Sequence, residues 1–296
     1  MIKHLLLLLS FLMLSSANDL TAKHPMLWEI TGDSLKNPSY LFGTFHTRDR
    51  NINRLHPSVL QALDRSHRLY TEITMTPKSS VEVLNFIKLQ DPLLLEDRLE
   101  LKTLELLSDF IKTSRSGLTL QTLSHFRTWG IALMLMNEEE GNDPHALFMD
   151  ERLAVYAKKQ KIAQASLETV TEQLSYFENL NKSEQEQFLL DALEQKKNPN
   201  YKEALRSWYQ KGCAKGFFAL QQRFASDDPK QQQLDKKLIE GLLTERNSRF
   251  TRRIGLIFQK NFPHTYFFAI GAGHLSGEEG LLKRLEELGY RVKKLN

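Results

Sequence analysis

The sequence predicts an α/β (α+β) protein whose core is a duplicated strand–Gly-x-x-His–helix–strand unit, interrupted by a large helical insertion. Both ends of the chain carry short apolar, strand-like runs, and each end has one Gly-x-x-His turn directly after such a run. The middle is leucine-rich with helical periodicity. We therefore predict one domain over 18–296, with an α/β core at 24–76 and 246–296 and a mainly helical insertion at 77–245.

Residues 1–17 have the layout of a secretory signal peptide. The basic residue Lys3 precedes the apolar run Leu5–Leu14, and small residues follow it up to Ala17. The run is shorter than the about 20 residues that a membrane-spanning helix needs; an uncleaved anchor is the alternative. We expect cleavage before Asn18, an exported (periplasmic or secreted) protein, and no transmembrane segment in the mature chain.

The composition excludes several classes of protein. The formal net charge is only +4, and the basic residues are interspersed with acidic ones, so nucleic acid is not an expected partner. A chain with one cysteine forms no internal disulfide. The sequence also lacks the Gly-x-Ser-x-Gly, P-loop, His-Glu-x-x-His and Gly-x-Gly-x-x-Gly motifs. Any catalytic or binding site of this protein must therefore be built from residues outside these four motifs.

The N-terminal unit begins with a predicted hairpin. Met26–Ile30 and Ser39–Phe45 are strand-like, and 31–38 between them is dense in turn-forming residues. The amphipathic stretch Val59–Asp64 and another apolar run, Arg68–Ile73, follow. This order predicts strand, turn, helix and strand.

The C-terminal unit repeats that plan. Helical periodicity at Arg249–Gln259 is followed by the strand-like run Thr265–Ile270, the amphipathic stretch Leu281–Leu288 and a returning strand at Tyr290–Leu295. In the helical middle, Ile162–Glu168 is a strand-like exception. Because the two ends share one plan, we infer an ancient duplication whose halves pack side by side.

The two Gly-x-x-His turns, Gly43–His46 and Gly271–His274, are the strongest candidates for chemistry. A glycine at the end of a strand lets the chain turn sharply, and the histidine then lies at the sheet edge where α/β proteins bind ligands. Imidazole suits a divalent transition metal or acid–base catalysis. The alternative is a pair of histidines that bind nearby backbone. Two copies in matching contexts favour the functional interpretation.

Glu72 interrupts an apolar strand, where a carboxylate is costly unless it is paired or coordinated. If this strand lies beside the one ending at Gly43, Glu72 reaches the same edge as His46. Two histidines and one glutamate would then form the ligand set of a catalytic zinc-type site. The alternative is an ion pair with Arg48 or Arg68.

Glu168 closes the strand-like run of the middle segment and is a candidate ligand or general base, or merely an acid at a helix N-terminus. Arg246 and Asn247 precede the C-terminal helix. A guanidinium group there would orient a carbonyl or carboxylate of a substrate. The alternative is a helix cap from Asn247 beside a surface arginine.

Taken together, these motifs resemble the TraB/GumN family. Tiki-type metalloproteases are similar to it and, more distantly, so are the erythromycin-esterase-like and ChaN-like proteins. The resemblance covers nearly the whole mature chain, from about Met26 onward. The matching motifs, in chain order, are Leu41–His46, Thr71–Glu72, Leu167–Thr169, Glu172–Leu174, Arg246–Asn247 and Ala269–Leu275.

The resemblance implies the ligands of a divalent transition metal (Mn, Co or Zn): His46, Glu72 and His274. Glu168 and the Arg246–Asn247 pair would line the same cleft. The activity implied is metal-dependent hydrolysis of a peptide or related amide, with Glu168 as the preferred proton carrier. A protein of the same fold that sequesters a peptide or small ligand without turnover is the alternative. A structural role in envelope biogenesis, the third hypothesis, would leave the two histidines dispensable.

Overall fold

The computed structural model describes residues 24–47, 49, 52–114, 117–137, 147–223, 225–260 and 262–295; the signal peptide predicted at 1–17 lies outside them. The strands are β1 Leu27–Thr31, β2 Ser39–Thr44, β3 Arg68–Thr71, β4 Ala163–Ser166, β5 Tyr266–Gly271 and β6 Arg291–Lys294. The α-helices are α1 Pro57–Asp64, α2 Pro77–Ile87, α3 Leu101–Thr113, α4 Leu120–Leu123, α5 Thr128–Asn137, α6 Met149–Lys159, α7 Val170–Glu178, α8 Lys182–Lys197, α9 Pro199–Gln210, α10 Gly216–Arg223, α11 Pro229–Ile239, α12 Glu245–Gln259 and α13 Leu281–Glu287. Leu95–Asp97 and Ala272–His274 are 3-10 turns, and Glu240–Thr244 is a π-helix.

The six strands form one mixed sheet in the order β4-β3-β5-β2-β1-β6. β1 is antiparallel to its neighbours β2 and β6, whereas the pairs β2–β5, β5–β3 and β3–β4 are parallel. The predicted mixed α/β class is confirmed, as is the hairpin of β1 and β2, in which Leu27 lies opposite Phe42. The duplication itself remains an inference.

The strand β5 lies between β2 and β3, so the direct pairing of β2 with β3 considered from the sequence does not occur. The reason is hydrophobic burial. The β5 residues Phe267 to Ile270 are completely buried, as expected for a parallel strand covered on both faces at the centre of a sheet. Glu72 therefore follows a strand that neighbours the second Gly-x-x-His strand, not the first.

The middle segment packs in two places. Most of its helices build a second apolar cluster around Trp129, whose ring stacks on Phe177 with a centroid distance of 5.1 Å. However, β4 joins the sheet, and Leu153 of α6 and Tyr209 of α9 pack into the sheet core. The middle segment thus helps to form the sheet edge at which the site lies. Within the described ranges, none of the helices has both the length and the apolar character needed to cross a membrane.

Candidate active site

The two Gly-x-x-His segments lie on adjacent parallel strands, but their local conformations differ. Gly43 is inside β2, and the chain stays extended to Thr44, whereas Gly271 ends β5 and leads into the 3-10 turn Ala272–His274. The register pairs Gly43 with Ile270, so the two motifs are offset by one residue. His46 therefore follows an extended strand, whereas His274 lies within a 3-10 turn.

The glycine of the first motif is required by close packing between the two segments. A Cβ atom at Gly43 would lie 2.6 Å from Cδ1 of Leu275 and 3.3 Å from Cα of Ala272. Ala272 belongs to the second Gly-x-x-His segment, and Leu275 directly follows it. A side chain at position 43 would push the two motifs apart.

The structure places His46 on the outside of the site. Its side chain is 56% exposed, stacks on Phe148 with ring centroids 3.9 Å apart, and has Nδ1 3.9 Å from Oδ2 of Asp150. The contacts of His46 are thus with the start of α6 and not with the other predicted ligands.

His274, in contrast, is buried and fixed at both ring nitrogens. Nδ1 lies 2.7 Å from Oδ1 of Asn247, while Nδ2 of Asn247 donates to the carbonyl oxygen of Glu279 at 2.7 Å. Because Nδ2 is the donor of the amide, Oδ1 must accept, and the imidazole carries its proton on Nδ1. Asn247 is therefore not the helix cap considered from the sequence; it lies inside α12 and orients His274.

The environment of His274 keeps its ring neutral. Burial lowers its pKa to about 4, the nearby charge of Arg246 acts in the same direction, and Glu72 opposes both only in part. Nε2 is consequently an unprotonated acceptor, 3.1 Å from Nη1 of Arg246. A neutral imidazole of this kind is the form that binds metal ions.

Glu72 follows β3 and bridges to the second motif. Oε1 accepts the backbone N–H of Gly271 at 2.7 Å and lies 3.8 Å from Nε2 of His274, and Oε2 accepts from Nη2 of Arg246 at 2.6 Å. Burial alone would raise its pKa. The charge of Arg246 and the hydrogen bond from Gly271 outweigh burial and hold the pKa at about 2. Glu72 is therefore a carboxylate.

Glu168 lies beside Glu72 because the strand before it, β4, pairs with β3. Its backbone N–H donates to the carbonyl oxygen of Glu72 at 2.9 Å, and its side chain has no exposed surface. Nε of Arg246 donates to both carboxylate oxygens, at 3.1 and 3.2 Å, and Arg249 lies 3.4 Å away. Burial raises the pKa of Glu168, although the two arginines oppose this rise.

Arg246 is the centre of the cluster and is only 9% exposed. Besides Nε, which binds Glu168, its Nη1 donates to Leu242 O at 3.2 Å and to His274, and its Nη2 binds Glu72 and Glu168. Burial works against the charge of Arg246, but the two carboxylates outweigh it and raise its pKa. The surface arginine considered from the sequence is thus a buried one.

A surrounding set of side chains was not predicted from the sequence. Nε2 of Gln173 donates to both site carboxylates, at 3.4 and 3.3 Å, and Arg253 binds Glu172 at 2.6 Å. The signal for the arginines is their spacing, since Arg246, Arg249 and Arg253 recur at i, i+3 and i+7 on one helix face. Their buried partners cannot be read from that spacing.

The structure therefore brings together five of the predicted site residues (Glu72, Glu168, Arg246, Asn247 and His274) and keeps His46 apart. Two carboxylates and a neutral imidazole have the donor chemistry of a divalent transition metal. In the described part of the chain, however, no three His, Cys, Asp or Glu side chains are arranged to hold a metal ion. The donors are arranged around the guanidinium of Arg246.

Comparison with known proteins shows the family of this chain. The model of the TraB/PrgY/gumN family matches residues 26–294, from the strand β1 to the strand β6. The chain belongs to the TraB/PrgY/gumN family. This confirms the resemblance drawn from the motifs, and all five converging residues lie within the matched range.

Relatives of this TraB/PrgY/gumN chain are named metalloproteases, which indicates a metalloprotease-like family. Metalloprotease TIKI1 of Danio rerio is 27% identical over 310 residues, covering 90% of this chain and 62% of that protein. Metalloprotease TIKI2 of Danio rerio is 40% identical over 62 residues, 21% of this chain and 12% of the relative. The Metalloprotease TIKI homolog of Amphimedon queenslandica is 33% identical over 63 residues, again 21% and 12%. The chain thus spans less than two thirds of these relatives, and no solved structure matches it.

Proposed function

We propose that this chain is an exported, metal-dependent hydrolase that cleaves a peptide or related amide bond at the carboxyl edge of its sheet. The observation that carries the proposal is the convergence of Glu72, Glu168 and the neutral Nε2 of His274 at one point. Such donors are the type that hold a catalytic metal. The names of the relatives support a peptide as the substrate class.

The metal ligands we propose are His46, Glu72 and His274, as predicted from the sequence. When bound, a Mn, Co or Zn ion would polarise the scissile carbonyl and activate a water molecule. The side chain of His46 is exposed to solvent. Its ring stacks on Phe148 and its Nδ1 lies near Asp150, and within the described residues no contact involves its Nε2.

The remaining residues of the cluster have distinct roles in the proposal. Asn247 holds the proton on Nδ1 of His274 and thereby keeps Nε2 directed into the site. Glu168, whose pKa is raised by burial, moves a proton from water to the leaving amine. Arg246 supplies the positive charge that a carbonyl or carboxylate oxygen of the substrate would bind.

The proposal is tested by metal binding and peptide cleavage on the same preparations. The chain from residue 18 onward is loaded with Mn²⁺, Co²⁺ or Zn²⁺, and metal stoichiometry is measured for the wild type and for His46→Ala combined with His274→Ala. Each sample is then incubated with a mixed peptide library and read by mass spectrometry. His125→Ala, at an exposed position among the helices, is the matched control. We expect about one metal per chain and cleavage, both lost only in the double variant. Intact peptides with every sample would contradict the proposal and favour a sequestering protein.

Export is tested separately. The mass of the N-terminal peptide of protein recovered outside the cytoplasm should place the first residue at Asn18. Recovery of exported protein that still begins at Met1 would contradict cleavage and favour an anchor.

A further inference from the structure

We infer that the outer edge of the strand β4 is a docking site for an extended peptide, which adds to the sheet as a further strand. This inference rests on the proposed function and deepens it, because a peptide held there would lie beside the segment that leads to Glu168. It names the surface that binds the main chain of the substrate, separately from the residues that act on its bond.

β4 is the last strand at one side of the sheet, so only one of its edges is paired. Within the described residues its partner is β3, and no strand lies on its other side. The parallel ladder places Thr71 opposite Ser166, and the N–H of Leu167 donates to the carbonyl oxygen of Thr71 at 2.8 Å. The main chain of Leu167 is therefore directed toward β3. The alternate residues Ala165 and Ala163 have the same direction.

The main-chain groups of Gln164 and Ser166 consequently point away from the sheet. Each residue has one N–H and one C=O group on this open edge, and none of the four groups has a hydrogen-bond partner in the described part of the chain. Gln164 instead uses its side chain, whose Nε2 donates to the carbonyl oxygen of Ala154 in α6 at 3.0 Å. Donors and acceptors that alternate in this way match the main chain of an extended peptide.

The two edge strands of the sheet differ in their protection against further pairing. β6, at the opposite side, has the sequence Arg-Val-Lys-Lys, and charged side chains on an edge strand discourage the addition of another strand. β4 has the sequence Ala-Gln-Ala-Ser, with no charge and no proline. Both strands have four residues, so their length does not explain the difference. β4 is thus the edge that remains open to a partner.

The residues before β4 indicate the charge of that partner. Lys158, Lys159 and Lys161 lie at the amino end of the strand, all three are exposed, and no ion pair within the described ranges involves them. Acidic side chains of a bound peptide would complement them. The β4 strand of a second copy of this chain has no acidic residue, so charge favours a peptide over self-pairing. The occupant we assign is an extended segment that is acidic at one end.

The direction of β4 connects this edge with the candidate active site. The strand runs from the lysines to Ser166, and Glu168 follows two residues later. At about 3.3 Å per residue, Lys161 and Glu168 are separated by roughly seven residues of extended chain. We therefore expect the acidic residues of the substrate roughly six to eight positions from the bond that is cut.

The test uses a fluorescent probe peptide of about ten residues that alternates threonine and valine and has a short run of glutamates at one end. It is made with the glutamates at either terminus, and the version that binds more tightly is used. Fluorescence anisotropy measures its affinity for the chain from residue 18 onward. A second probe has the same side chains but N-methyl groups on its main-chain nitrogens, so it cannot donate to β4.

The N-methylated probe should bind at least about tenfold more weakly, because it loses the main-chain hydrogen bonds. The first probe should also slow amide hydrogen exchange at Gln164 and Ser166. Equal affinities of the two probes, or unchanged exchange at these two residues, would overturn the inference. Neither measurement needs a variant of the protein.

Variants of Gln164 separate the main chain of β4 from its side chain. Gln164→Pro removes the outward N–H, whereas Gln164→Ala is the matched control that retains it. We expect Gln164→Pro to bind the probe at least about tenfold more weakly than the wild type, and Gln164→Ala to bind it within about twofold. Equal affinities of the two variants would contradict pairing through the main chain. If Gln164→Pro does not fold, the two probes decide on the wild type.

The charge and the identity of the occupant are tested on the same preparations. A probe with glutamine in place of the glutamates should bind at least about threefold more weakly, and equal binding would refute the acidic segment. Sedimentation of the wild type tests self-pairing. A dimer that Gln164→Pro dissociates and that the probe does not displace would make a second copy the occupant and overturn the inference.

Failure of this inference and failure of the proposed function give different results. Probe binding that Gln164→Pro abolishes, without cleavage of any library peptide, would leave the docking edge standing and refute the hydrolase. Cleavage of library peptides by the wild type and Gln164→Pro alike, with equal binding of the two probes, would do the reverse.

Discussion

His274 and Asn247 are joined by a hydrogen bond of 2.7 Å between Nδ1 and Oδ1, and this bond determines which nitrogen of the imidazole faces the site. Asn247 is itself held by Glu279, whose carbonyl oxygen accepts from Nδ2. Because Nδ2 of Asn247 donates to this backbone carbonyl, Oδ1 of Asn247 is the atom that accepts from Nδ1–H of His274. The backbone carbonyl of Glu279 thereby determines the tautomer of His274. This relationship leads to the first prediction.

Asn247→Ala should weaken metal binding and destabilise the chain. The buried Nδ1–H of His274 would lose its acceptor, at a cost of about 1–3 kcal/mol in the free energy of unfolding. Loss of the partner that orients a ligand should reduce Co²⁺ affinity by about 10–100-fold. Both are measurable by urea unfolding and metal titration. Asn181→Ala removes the N-cap of α8 and is the control, because it should cost stability but leave Co²⁺ affinity unchanged. Unaltered affinity in Asn247→Ala would contradict this role.

Gly43→Ala should destabilise the chain through contact between the two motif segments. The new methyl group would meet Cδ1 of Leu275 at 2.6 Å and Cβ of Met26 at 3.1 Å. Overpacking of this kind costs about 1–3 kcal/mol, which urea unfolding measures. Gly255→Ala in α12 is the matched control, since the nearest atom there is Cδ1 of Leu288 at 3.5 Å. The control should be neutral or stabilising by up to about 1 kcal/mol; equal effects of the two changes would disprove the packing argument.

Glu168→Gln should be far more damaging than Glu172→Gln. Glu168 has no exposed surface, and its loss leaves Arg246 and Arg249 short of negative charge, at a cost of about 3–5 kcal/mol. Glu172 pairs with Arg253 where both side chains are about one third exposed, so its neutralisation should cost about 1 kcal/mol or less. Thermal unfolding compares the two variants. Peptide cleavage should be lost only in Glu168→Gln, and retention of cleavage there would remove it as the proton carrier.

Asp191→Asn should make stability less dependent on pH. Burial raises the pKa of Asp191 to about 7, and Asp235 and Glu194 add to the rise, while hydrogen bonds from Gln187 and Gln231 oppose it. A carboxyl group whose pKa is raised by folding contributes its full stability below its unfolded pKa and loses it as the pH rises through the folded pKa.

The wild type should therefore lose stability relative to Asp191→Asn between about pH 4 and pH 7, by on the order of 1 kcal/mol after allowance for solvent screening. Urea unfolding at successive pH values measures the difference. The exposed Asp109→Asn, on α3, should follow the wild type. A constant difference between Asp191→Asn and the wild type across this range would contradict the prediction.

Much of the fold could be predicted because its signals are local. The apolar runs that became β1, β2, β3 and β5, and the amphipathic stretches that became α1 and α13, agree with the sequence-based boundaries to within about two residues. The order of the strands could not be predicted in the same way. The insertion of β5 between β2 and β3 depends on which strand gains most from burial on both faces, and that is a property of the assembled sheet.

The sequence by itself determined the chemical inventory of the site: the two Gly-x-x-His motifs, the two interrupting glutamates and the Arg246–Asn247 pair. The Gly-x-x-His motifs follow apolar strand-like runs, Glu72 interrupts one and Glu168 closes one, while Arg246 and Asn247 precede a stretch with helical periodicity; these positions are visible without coordinates. Only the tertiary structure decided which of them meet. Because β3 pairs with β5, Glu72 lies beside Gly271 and His274, and the neighbouring β4 adds Glu168. His46 leaves the sheet from an extended segment and lies against α6 instead. The contacts of Arg246 join residues from four separate segments, and long-range burial of charge, which no local pattern encodes, holds them there.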